Sequence, residues 1–162
     1  MFKIRLLILL SISISLFSCT KNNLNHQSQK YSVAYIGGEL DGLILKNILT
    51  ENLKAFSIYD SSSNYSIQSS VTHSLNLYIT NIDNTSDRQN ITSTLSTKII
   101  DKRNDCTLYE KSNSVSQFYI FASSDKFLIN QKAEKKIKKD NTEVLVRKFI
   151  NNLNEVEAVC DN

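Results

Sequence analysis

Residues 31–56, YSVAYIGGELDGLILKNILTENLKAF, decide how this chain folds. Residues 31–36 set Val and Tyr at strand-favouring positions, and the pair Gly37 and Gly38 ends the run as a turn. From residue 39 to 56 the apolar residues switch to helical spacing: Leu40, Ile44 and Ile48 recur every four residues, with Leu45, Leu49 and Leu53 on an adjacent row. Glu39 and Asp41 near the start and Lys54 near the end suit the helix dipole. A strand that turns directly into an amphipathic helix is a mixed unit, and its helix needs an apolar surface to cover.

That surface has to come from downstream. Residues 60–70 (DSSSNYSIQSS) read as a serine-rich loop, after which Leu75, Leu77 and Ile79 alternate with polar residues as a half-buried strand does. Residues 83–87 (DNTSD) form a turn cluster, and Ile91, Leu95 and Ile99 then share one face with Ser93 and Thr97 between them. A second turn at 101–105 (DKRND) leads through Cys106 and Leu108 into a strand running towards Tyr119. Three long strands with short polar connections predict an antiparallel meander.

Residues 124–153 return to helical spacing, with Ala133 and Ile137 on one row and Leu145, Phe149 and Leu153 on another. The rows do not share one stripe, so this helix is either broadly buried or interrupted near Asp140, where Asp140 and Glu143 resemble a capping box. Glu134 with Lys138 and Glu143 with Arg147 are favourable pairs at four-residue spacing. The predicted class is α+β: a four-stranded, mainly antiparallel sheet with two helices packed on one face, in the order β-α-β-β-β-α.

The opening residues, MFKIRLLILLSISISLFSC, are of another kind. Lys3 and Arg5 precede an apolar and serine stretch over residues 6–17, the anatomy of an export signal and too short to span a bilayer comfortably. Leu16, Phe17, Ser18 and Cys19 resemble a lipobox, in which the cysteine is acylated and the chain is cut before it. Residues 1–18 are therefore expected to be a lipoprotein signal peptide and Cys19 the lipid anchor. Residues 19–30, polar and unpatterned, form a tether; residues 31–153 form one domain; residues 154–162 form a C-terminal tail. No Asp follows Cys19 directly, a feature that resembles lipoproteins sent on to the outer membrane.

Composition narrows the function. The chain has 162 residues, 41% hydrophobic and 22% charged, which suits one folded domain and argues against wholesale disorder. Two of the charges behind the formal +3 are Lys3 and Arg5, so the exported part is nearly neutral and lacks the basic face that nucleic-acid binding needs. Cys106 and Cys160 would meet an oxidising compartment and are candidates for a disulfide, though sequence alone leaves their approach open. His26 and His73 belong to no metal-ligand spacing, and no pattern calls for a cofactor. The serines lack a nucleophile elbow, so a hydrolase is disfavoured and binding is the better reading.

Two basic features have a bland and a functional reading. Lys132, Lys135, Lys136, Lys138 and Lys139 are either a solvated helix face or a contact for anionic lipid or glycolipid phosphate. Arg88, at a loop tip, is either a soluble charge or a fork for a phosphate.

The chain resembles the LPS-assembly lipoprotein family, LptE, and its alphaproteobacterial branch in particular. The resemblance rests on the lipobox cysteine, the strand YSVAYI running into Gly and a helix of pattern L-x-x-x-I-L-x-x-L, Arg88 opening a strand that passes through TKIID, and VSQFYIFASSDK leading into a lysine-rich last helix. It spans roughly residues 31–153. It implies an outer-membrane lipoprotein on the periplasmic face that plugs the β-barrel LptD, assists its assembly and helps deliver lipopolysaccharide. It also implies that Arg88, and less specifically Lys132 and Lys136, touch the glycolipid. Absence of Pro and Trp departs from typical members. The alternative reading is an auxiliary lipoprotein of a lipid-transport ABC system, whose aromatic pattern includes a Trp that this chain lacks.

Overall fold

A computed structural model describes residues 29–79, 87–120, 127–156 and 160. Strand β1 (Tyr31–Gly37) leads into helix α1 (Glu39–Ala55); β2 (Tyr65–Ile79), β3 (Asp87–Asp101) and β4 (Cys106–Ile120) follow, then helix α2 (Phe127–Asn151) and a short 3-10 turn (Asn152–Glu155). The sheet order is β1-β2-β3-β4. β1 runs parallel to β2, while β2–β3 and β3–β4 are antiparallel, so the predicted element order and class hold. The 83–87 turn and Cys19 fall outside the described residues, save Asp87, which opens β3.

All three glycines serve the β1–α1 turn. Gly38 has φ 112, a backbone region that side chains disfavour. Gly42 lies so close to β1 that an added Cβ would sit 2.7 Å from the Gly37 carbonyl oxygen. The turn is level with Ser70 and Val71 of β2, and α1 runs back from there along β1. One helix thus covers only the first half of the inner sheet face.

The core forms where both helices cover that face. Leu45, Leu49 and Leu53 of α1 and Leu145, Val146 and Phe149 of α2 meet Ile67 and Val71 of β2 and Leu95 and Ile99 of β3, all at most 3% exposed. Burial of each such side chain stabilises the fold by roughly 1.5–3 kcal/mol. A register irregularity opposite Ile99 and Ile100 lets consecutive residues Leu108 and Tyr109 both turn inward, where the Tyr109 ring packs on Phe149 at 5.9 Å.

Two local expectations need correction, and one alternative that the sequence left open is decided. Residues 65–70 are strand rather than loop, because Ile67 is a core residue and Ser69 and Thr97 hydroxyls satisfy each other inside at 3.0 Å. α2 is continuous through Asp140, which pairs with Lys136 one turn earlier instead of capping a new helix. Glu143 lies 3.8 Å from Lys139 rather than reaching Arg147, whereas Glu134 and Lys138 do pair, at 2.6 Å. Beyond residue 153, Val156 is buried, and Cys160 is bonded to Cys106 with a Cα–Cα distance of 6.1 Å.

Candidate functional site

Two surfaces follow from this arrangement. On the outer face of the sheet no helix packs among the described residues, and the strands present cross-strand hydroxyl pairs: Thr92 with Ser116 at 2.7 Å, Thr94 with Ser114 at 2.8 Å and Ser96 with Ser112 at 3.1 Å. Below them lies the ion pair Lys98–Glu110. Beside this ladder a shallow depression of about 360 Å³ is bordered by Tyr35, Gln68, Ser70 and Ser112. At the far end of the strands the surface turns apolar, with Leu77, Phe118 and Ile120 each more than half exposed, as are Phe127, Leu128 and Ile129 at the start of α2.

On the inner face, beside the first turns of α1, a cleft of about 450 Å³ opens between the two helices. α1 contributes Leu40, Asp41 and Ile44; β2 contributes His73; α2 contributes Gln131, Lys132, Glu134, Lys135, Lys138, Lys139 and Thr142. His73 lies here because it shares the parity of Leu75 and Leu77, whose strand face points to the helices.

His73 is part of a buried polar network. Its side chain is only 4% exposed. Asn141 Nδ2 donates to Ser93 Oγ at 3.0 Å and to the Ile91 carbonyl at 3.2 Å. With that donor in place, the Ser93 hydroxyl can give its own proton to His73 Nδ1, 2.7 Å away. His73 Nε2 then carries the ring proton and lies 3.8 Å from Asp41 Oδ2, beyond hydrogen-bond reach. Burial holds the imidazole below its ordinary range; Asp41 and Glu134 lift it in part and Lys138 presses it down. A serine, a histidine and an aspartate in a row suggest a nucleophile, but Ser93 is fully buried and out of reach of any substrate.

The sequence candidates do not converge on one place. Lys132 lines the cleft. Lys136 is not among the lining residues and pairs with Asp140 on the exposed side of α2. Arg88 stands exposed at the apolar end of the sheet, paired across the strands with Tyr78 and Ile120. Asp41, His73, Ser93 and Asn141 escaped the sequence reading because the network joins residues 48 and 20 positions apart, a separation that no local spacing reports. Among the described residues, no group of three or more His, Cys, Asp or Glu gathers to hold a metal ion.

No protein-family model and no curated protein matches the sequence. Solved structures do match. A minor lipoprotein from Acinetobacter baumannii has a TM-score of 0.60 at 14% identity, over 82% of this chain and 97% of that one. Rare lipoprotein B from Shewanella oneidensis has a TM-score of 0.57 at 9% identity, over 78% and 93%. The fold is one that bacterial lipoproteins use. A neuraminyllactose-binding hemagglutinin homolog from Helicobacter pylori shares it too, at a TM-score of 0.52 and 10% identity over 77% and 79% of the two chains. At such identities the likeness is one of architecture, and function has to be argued from the surface.

Proposed function

We propose that this chain is an outer-membrane lipoprotein, anchored at the periplasmic face through an acylated Cys19, that sits in the LPS-assembly barrel LptD, assists its assembly and helps deliver lipopolysaccharide to the cell surface. The observation that carries the reading is the architecture shared with bacterial lipoproteins over nearly their whole length, in a chain that opens with a signal and a lipobox cysteine. The family resemblance supplies the barrel and the glycolipid.

Two features of the surface support a large partner. Exposed apolar side chains at one end of the sheet, on both its faces, are typical of surfaces that another protein or a membrane covers. The outer sheet face offers a ladder of hydroxyls whose hydrogen bonds are made within the sheet, so covering that ladder leaves these hydroxyls paired. Arg88, beside that apolar end, is the first candidate contact for a glycolipid phosphate; Lys132 and Lys136 are the others.

The test is affinity capture of the full chain from gently solubilised membranes, followed by identification of its largest partner. Copurification of a large β-barrel protein supports the reading. A chain that runs alone sinks it, and inner-membrane transporter subunits would point instead to the auxiliary role in a lipid-transport ABC system.

A further inference from the structure

We propose that the depression on the outer sheet face binds an uncharged, β-linked glycan, with the ring of Tyr35 as the stacking platform and Gln68, Ser70 and the Lys98–Glu110 pair as its hydrogen-bonding groups. The proposal does not rest on the barrel reading. It concerns a small site on the face of the sheet opposite the helices, in the half of the strands away from the exposed apolar end.

Tyr35 is the first support. It is 67% exposed, although an aromatic on a strand ordinarily packs against its neighbours. Its ring lies back along β1: a Cβ added at Gly37 would come 3.3 Å from Tyr35 Oη, 3.4 Å from Tyr35 Cε1 and 3.3 Å from Ser70 Cβ. The missing side chain at Gly37 thus leaves room for the phenol beside Ser70, at the border of the depression. The face of an aromatic ring carries the negative side of its quadrupole and attracts the polarised C–H groups of a pyranose. Sugars of the β-linked, gluco-configured kind present those C–H groups on flat ring faces and form flat, extended chains, the shape that a shallow depression over a sheet can take.

The polar groups around the ring both give and accept hydrogen bonds. Ser96 and Ser112 spend one proton on each other at 3.1 Å, so the pair keeps one O–H to donate and lone pairs to accept. Gln68 and Ser70 stand opposite Lys98 and Ser96 on the next strand. Among the described residues, no hydrogen bond engages the Gln68 amide or the Ser70 hydroxyl. A sugar hydroxyl is likewise donor and acceptor, whereas an anion only accepts.

Charge points the same way. Of the charged residues at the border, Lys98 lies 3.8 Å from Glu110, and Lys111 is engaged in an interaction of its own. The Glu110 carboxylate turns an anion away, while an opposed ammonium and carboxylate can hold two neighbouring hydroxyls, one as acceptor and one as donor. The volume of about 360 Å³ lies at the lower end of small-molecule sites, about 300–1,000 Å³.

The test follows the backbone amide resonances of residues 68–70 and 96–98 by NMR in the full, isotope-labelled chain, held in a sugar-free polyoxyethylene detergent. Cellotetraose, maltotetraose, glucose and glucose 6-phosphate are added separately. Saturable shifts with cellotetraose are expected, with maltotetraose, whose α-linkages curve the chain, binding about tenfold more weakly. Tyr35→Ala should weaken cellotetraose about tenfold, Tyr35→Phe should keep the affinity within about twofold, and Ser116→Ala, at the other end of the ladder, should leave it unchanged. Because Tyr35 is exposed, the rest of the spectrum should stay in place in both of its variants. Gln68→Leu, which keeps the bulk and removes the amide, tests the polar half independently and should also weaken binding. No saturable shift with cellotetraose, or equal affinity in Tyr35→Ala, overturns the proposal. Maltotetraose binding as tightly overturns the β-linked assignment, and glucose 6-phosphate binding more tightly than glucose would make this an anion site instead.

Discussion

Asn141 and Ser93, 48 residues apart in sequence, meet with Nδ2 to Oγ at 3.0 Å and so join the middle of α2 to the middle of β3. Both residues are fully buried. Through Ser93 the contact extends to His73 on β2, and one layer of polar groups therefore fixes α2 against two strands at once. It marks a boundary. Toward Leu95 and Phe149 the interior is mostly apolar, and on the other side, beside the first turns of α1, the cleft begins.

Replacing Asn141 by Ala should destabilise the domain by about 1–3 kcal/mol, the cost of leaving a buried polar group without its partner. Ser93 Oγ would lose its donor. Asn141 Oδ1 is itself buried without a hydrogen-bond partner, and its removal offsets part of that loss, which places the effect toward the lower end of the range. Chemical denaturation of the two proteins measures it. A change below about 0.5 kcal/mol, within the range of ordinary surface substitutions, would show that the network contributes no stability.

Gly42→Ala is expected to destabilise in spite of helix propensity. In an exposed helix interior the change would gain roughly 1 kcal/mol. Here the new Cβ would lie 2.7 Å from the Gly37 carbonyl oxygen and 3.0 Å from its carbon, both backbone atoms that cannot rotate away. Overpacking of this kind costs typically 1–3 kcal/mol and should outweigh the gain. A thermal melt of the variant above that of the parent chain would show that α1 can lift off β1 freely.

Much of the fold was legible because its elements bury one face each. Leu45, Leu49 and Leu53 announce α1, and the inward set of β3, from Ile91 to Ile99, is visible as alternation. Residues 65–70 read as loop because of their polar composition, whereas Ser69 is an interior residue satisfied by Thr97 on the next strand. Such pairing is invisible until register is known. Of the candidate site, the lysines of α2 were legible as a run, but only the start of α1 at Val71 decides which of them face a cleft. His73 looked isolated because its partners come from three other elements.

Reduction of the Cys106–Cys160 bond should lower stability by about 4 kcal/mol on the chain-entropy account, given the 54 residues that separate the cysteines. The link fastens the start of β4 to the end of the chain, beside the buried Val156. Cys106→Ser with Cys160→Ser should therefore unfold at clearly lower denaturant concentration than the oxidised chain and match the reduced parent. Coincident unfolding curves for oxidised and reduced protein would contradict the bond's contribution.

The pH dependence of stability should carry a contribution from His73. Its folded-state pKa is lowered, first by burial, with Asp41 and Glu134 opposing and Lys138 adding to the shift. A base with a depressed folded pKa binds its proton more weakly in the folded chain than in the unfolded one. Stability from this group is therefore whole above the ordinary value of 6.5 and declines as pH falls from there toward the folded value, where the loss levels off. His73→Gln keeps an acceptor for the Ser93 hydroxyl but cannot titrate. Denaturation of both proteins at about pH 7.5 and about pH 5 isolates the effect of the imidazole and its charged neighbours, because the contributions of carboxylates remote from His73 cancel in the comparison. The parent should lose more stability than the variant on acidification; an equal loss would mean that the His73 imidazole takes up its proton in the folded protein as readily as in the unfolded chain.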